Sequence, residues 1–103
     1  MDLIFLASTR PDLEWFRSYY GTIFPEGSIK ASAAFVAAVD KLVANPYIGR
    51  PMVREGFRRL LIAKTPFLII YQVSATRIDV VRIWDQRADP TKLGFQEEAA
   101  VLA

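Results

Sequence analysis

The chain has 103 residues, of which 52% are hydrophobic and 23% charged, and it carries a net charge of +2. That length supports one core and one domain spanning residues 1–103, with no stretch polar enough to remain disordered. It holds neither cysteine nor histidine, which excludes disulfides, thiol nucleophiles, zinc sites built on those side chains, and the imidazole that titrates near neutral pH.

Residues 2–7 (DLIFLA) are short, apolar and bounded by Ser8-Thr9, as in a buried strand. Asp2 and the lack of a basic leading region argue against a signal peptide. Thr9 as N-cap, Pro11 in the first turn and Asp12 as an early acid then predict a helix. Its stripe reads Leu13, Phe16, Tyr20 and Ile23, and it ends near Gly21 and Pro25. Trp15 and Tyr19, one turn apart on the flank, either widen the buried face or form a ridge for a partner.

A second helix is expected from Ser28 to about Ala44, stopped by Asn45-Pro46. Its apolar face reads Ile29, Ala33, Val36, Val39 and Val43. The short turn Pro25-Glu26-Gly27 makes the two helices a hairpin.

From Gly56 the period changes to two. Arg58, Leu60, Ile62 and Lys64 share one face, and Phe57, Arg59, Leu61 and Ala63 the other. Phe67–Val73 is apolar on both faces, which places it in the middle of a sheet, and it is far too short to cross a membrane. After the turn Ser74-Ala75-Thr76, residues 77–84 return antiparallel, with Ile78, Val80, Arg82 and Trp84 on one face. Leu93 to Leu102 reads as a short terminal helix. The fold class is α+β: an antiparallel sheet with an N-terminal helical hairpin on one face.

Charge is unevenly spread. Residues 50–92 hold nine basic side chains against four acids, while the rest of the chain is net negative. A basic half calls for an acidic partner, nucleic acid or protein, or is simply a solvated strand face. Arg82, set among apolar neighbours, needs water, a carboxylate or a ligand, and an ion pair of Asp85 or Asp89 with Arg82 or Arg87 is the plainest solution. Cleaving RNA without histidine would require an unusual base. Lys64 and Tyr71 are the candidates, with Asp85 a poorer one because its charge repels phosphate; Lys64 and Tyr71 have ordinary readings as strand end and core. No glycine pattern cradles a phosphate, and no metal or other cofactor is called for.

The segments NPYIGRPM, FRRLLIAKTPFLIIYQV and IDVVRIWDQRADP, in this order and spacing, resemble the RelE/ParE toxins of type II toxin–antitoxin systems. Three features carry the resemblance: Asn45-Pro46 with Gly49-Arg50, the Phe67–Val73 strand, and the closing Asp85-Gln86-Arg87 with Asp89-Pro90. The resemblance implies the same α+β fold, a bacterial cytoplasmic toxin and no membrane. It also implies a cognate, DNA-binding, ParD-like antitoxin whose C-terminal segment crosses the toxin. Candidate contact residues are Trp15, Tyr19, Arg58, Lys64, Arg82, Trp84 and Arg87.

The family's targets divide. ParE-like members inhibit DNA gyrase by binding it, and RelE-like members cut mRNA on the ribosome. Nuclease members place an arginine just after the strand aromatic, where this chain has Leu68, and an acid near the C-terminus, where it has Phe95. ParE-like members also often carry a basic residue at the Leu68 position. The gyrase-binding branch is the leading expectation. Its alternatives are a nuclease using Arg59, Lys64 and Arg87, or a non-toxic homologue that only binds antitoxin.

Overall fold

The computed structural model describes residues 1–93, so Phe95 and all but the first residue of the expected terminal helix lie outside the described residues. The chain opens with β1 (Asp2–Phe5) and passes through a 3-10 turn into α1 (Arg10–Ser18). A single π-helical turn, Tyr19–Ile23, and a 3-10 turn, Pro25–Gly27, lead into α2 (Ser28–Ala44). Four strands follow: β2 (Arg50–Pro51), β3 (Phe57–Leu61), β4 (Phe67–Val73) and β5 (Arg77–Asp85).

The strands form one sheet in the order β1-β5-β4-β3-β2. β2 to β5 are antiparallel throughout, as the alternating pattern predicts, whereas β1 joins the edge parallel to β5. The hairpin carries the chain across one face, and three successive reversals then bring β5 back beside β1. The sheet is therefore mixed, with the two-residue β2 as an addition that periodicity cannot register at that length.

Two apolar clusters sandwich β4. On the hairpin side Phe67, Ile69, Tyr71, Ile78, Val80 and Ile83 pack with Tyr20, Ala31, Ala38 and Leu42. On the far side Leu68, Ile70 and Trp84 pack with Met52 and Leu93. Both faces of β4 are thus covered, which is why its sequence is apolar without alternation.

Three expectations need correction. The α2 stripe is rotated: Ala31, Ala38 and Leu42 face the core, while Ile29, Val36 and Val43 are 85%, 59% and 42% exposed. On the α1 side Ile23 is likewise exposed, though Leu13, Phe16 and Tyr20 pack inward as expected. Thr9 stands at the N-cap position of α1 but its side chain does not cap it; it is buried, and its hydroxyl donates to the Leu6 carbonyl at 2.7 Å.

The third correction concerns β5. Ile70 pairs with Arg82 but Tyr71 pairs with Val80, so Val81 is an extra residue in a β-bulge. The slip inverts the side chains that follow. Ile78, Val80 and Ile83 therefore face the hairpin, and Arg82 and Trp84 face away.

Candidate functional site

β1 ends at the Phe5–Val80 pair, leaving the second half of β5 with an open edge. The start of the helical region fills it. Ser8 Oγ donates to the Val81 carbonyl at 2.7 Å, and Asp12 Oδ2 accepts from the Ile83 amide at 2.9 Å. Asp12 also accepts from Arg82, at 2.7 Å from Nε and 3.0 Å from Nη2. Arg82 Nη1 reaches the Leu93 carbonyl at 3.1 Å, and the guanidinium lies 5.2 Å from the centre of the Trp84 ring. The partner of Arg82 is therefore Asp12, not Asp85 or Asp89. A forked arginine–carboxylate pair of this kind fixes both partners in place.

A second knot sits one turn along α1. Trp15 Nε1 donates to Asp85 Oδ2 at 2.9 Å. Arg87 grips the same carboxylate with Nε at 2.9 Å and Nη2 at 2.8 Å. It also donates Nη1 to the Tyr19 hydroxyl at 3.0 Å and lies 4.4 Å from the centre of that ring. Burial alone would raise the pKa of Asp85, but the hydrogen bonds from Arg87 and Trp15 outweigh it and hold the carboxyl below its usual range. The hydrogen bond to Asp85 in turn pushes the guanidinium of Arg87 upward. Four of the predicted residues, Trp15, Tyr19, Arg82 and Arg87, are thus joined into the α1–β5 seam.

The remaining candidates are dispersed. Arg58 donates to the Gly49 and Tyr47 carbonyls at 2.8 and 3.2 Å and lies over the Tyr47 ring. Tyr71 is core, and its hydroxyl accepts from the Gly49 amide at 2.9 Å; burial raises its proton affinity above that of a free phenol. Trp84 is 5% exposed and belongs to the far core.

Lys64 sits in the β3–β4 turn with φ of 61°, bordering a groove with Tyr20, Lys30 and Ala31 on the hairpin side. Arg59 pairs across strands with Ile70 and so lies on the opposite face. Arg87 is on the hairpin side, held by Tyr19. The sheet therefore stands between Arg59 and the other two members of the suggested nuclease set.

Sequence reasoning named Asp12 only as a helix-start acid and Gly49 only as part of the family signature, not for the contacts they make. Asp12, Trp15 and Tyr19 fall at i, i+3 and i+7 on one helix face, a spacing that was legible beside the charges of β5. Gly49 faces a wall: a Cβ there would overlap the Tyr71 hydroxyl and stand 2.8 Å from the Arg59 carbonyl oxygen. Next to it Arg50 is the cross-strand partner of Arg59, so these two arginines lie side by side on the far face, whereas Arg58, opposite Tyr71, faces the hairpin side. Among the described residues no helix is long and apolar enough to cross a membrane, and no acid cluster suits a metal ion.

Residues 3–90 match the family described as the ParE toxin of the type II toxin–antitoxin system parDE. The fold is similar to a solved chain of the chromosomal ParDE toxin–antitoxin system from P. aeruginosa. The TM-score is 0.64 at 32% identity, and the match covers 81% of this chain and 92% of that one. Comparison with curated proteins returns no match. The family match spans most of the sequence and agrees with the architecture, and the chain belongs to the ParE toxins of type II toxin–antitoxin systems.

Proposed function

We propose that this toxin acts by contact, binding and inhibiting DNA gyrase, and that a cognate ParD-like antitoxin neutralises it. The observation that carries the reading is the dispersal of the cations a nuclease would need. Arg87 is spent on Asp85, Arg82 on Asp12, and Arg59 lies across the sheet from Lys64. Phosphoryl chemistry at a 2′-hydroxyl requires base, acid and cation around one phosphate. Beside Arg59 the far face holds Leu68, Ile70 and Trp84 buried against Met52 and Leu93, an apolar packing layer with no group for transition-state charge.

For the antitoxin, Arg50 and Arg59, side by side on the far face of the β2–β3 edge, supply a surface for an acidic segment, with complementarity setting encounter rate and register. Trp15 and Tyr19 keep part of their rings in solvent beside Arg87 and offer a second, separate patch at the α1–β5 seam.

Expression in growing cells, with plasmid topology and message ends read in parallel, separates the targets. Relaxed plasmid with intact messages supports gyrase. Position-specific breaks in translated messages with normal supercoiling would establish the ribosome-dependent nuclease instead.

A further inference from the structure

Lys64 occupies a position that suits another residue. Its φ of 61° lies in the left-handed region where glycine costs least, and among the described residues the other positive φ belongs to Gly56. The β3–β4 turn does not use the side chain. The Ile62 amide donates to the Phe67 carbonyl at 3.0 Å and the Thr65 amide to the Ile62 carbonyl at 3.1 Å, which closes the turn. The ammonium makes no hydrogen bond or ion pair among the described residues. Strain kept where nothing local needs it points to a use.

That ammonium stands at the rim of a groove of about 500 Å³ between the start of α2 and the β3–β4 turn. Its walls are apolar: Tyr20, Phe24, Ala31, Ala34 and Ala63, and the alanines on both elements leave the gap between them unfilled. Gly27 lets the Phe24 ring lie against the helix start, since a Cβ there would stand 2.5 Å from it. Two cations border this surface, Lys30 from α2 and Lys64 from the turn, against one acid, Glu26. Lys30 is likewise unpaired among the described residues, although Glu26 lies four residues before it.

This chemistry selects the occupant. The apolar walls accept a hydrocarbon side chain, and the two ammoniums call for carboxylates beside it. A nucleic-acid strand fits less well, because the groove has two cations rather than a run of them. Tyr20, 6% exposed, also offers no free ring face for base stacking. We propose that the groove receives one large apolar side chain from an acidic segment of the antitoxin, whose neighbouring carboxylates pair with Lys30 and Lys64. The inference rests on the antitoxin reading above and not on the target of the toxin. It puts this anchor on the hairpin side, across the sheet from Arg50 and Arg59.

An NMR titration of the purified full chain with three blocked pentapeptides tests it: leucine between pairs of glutamates, alanine between pairs of glutamates, and leucine between pairs of lysines. At millimolar concentration the first should shift the amides of Gly27, Lys30, Ala31, Ala63 and Lys64. The alanine peptide should bind about threefold or more weakly, and the lysine peptide should leave those amides unmoved. Lys64→Gly should weaken binding of the first peptide about threefold, as should Lys30→Gln, and the two together about tenfold. Lys64→Gly relieves the backbone strain, so binding lost in that variant is not structure lost. Purified cognate antitoxin should lose affinity for the double variant in the same proportion. The proposal is overturned by no shift from any peptide, by equal shifts from the lysine peptide, or by shifts confined to the far face. An antitoxin that binds the wild type and the double variant alike also overturns it, and leaves the antitoxin reading in place. One that fails to bind the wild type overturns both.

Discussion

Trp15 and Asp85, 70 residues apart in sequence, are joined by a 2.9 Å hydrogen bond from the indole Nε1 to Oδ2. The same carboxylate is forked by Arg87, so one acid ties α1 to the end of β5 and orders the turn beyond it. The arginine and aspartate after the β5 tryptophan thus serve the sheet corner before they serve any partner.

That arrangement has a pH signature. The hydrogen bonds hold the folded pKa of Asp85 below its unfolded value of about 4. Its contribution is therefore complete above that unfolded value and is lost as pH falls through the folded one. Urea midpoints of the wild type and Asp85→Asn should differ most at neutral pH and converge in acid. A constant difference across that range would contradict this role.

Asp12 accepts three hydrogen bonds at the open edge of β5, two of them from Arg82. Asp12→Ala leaves a guanidinium and a strand amide without that acceptor and should cost about 3 kcal/mol in urea unfolding. Adding Arg82→Ala should cost much less than its effect in the wild type, because the two residues act as a unit.

Gly49→Ala should cost about 2 kcal/mol through overpacking against Tyr71, and Tyr71→Phe in that background should recover part of it. The Gly49-Arg50 pair belongs to the sequence signature because the backbone there lies against a core hydroxyl, and the hydrogen bond of 2.9 Å between them leaves no room for a methyl group.

Lys64 adopts φ of 61°, a conformation that costs an L-residue energy. Lys64→Gly should raise stability by about 1 kcal/mol in urea unfolding. It should leave plasmid relaxation intact if Lys64 is no catalytic base.

The legible parts of this fold are those whose sequence admits one solution. Phe67–Val73 is a strand with those bounds because it is apolar on both faces and flanked by Pro66 and Ser74. α2 has the expected ends, but its face is ambiguous, since Ile29, Val36, Val43 and Ala31, Ala38, Leu42 are both apolar stripes at helical spacing. Size favours the first as core; packing close to the sheet requires the small residues of the second. The bulge is hidden because Val80 and Val81 are identical, so nothing in the pattern marks which is extra. The Arg87–Asp85 pair is local and could be read from the sequence, but the Asp12 partner of Arg82 lies in α1, and no local rule reaches 70 residues back.

The most direct test of the contact mechanism is inhibition of purified DNA gyrase in a supercoiling assay, titrated with the purified chain and run beside a translating ribosome reaction. Supercoiling should fall in a dose-dependent manner, recover on addition of the cognate antitoxin, and be accompanied by uncut message. Unimpaired supercoiling together with codon-positioned cuts in the message would contradict the account.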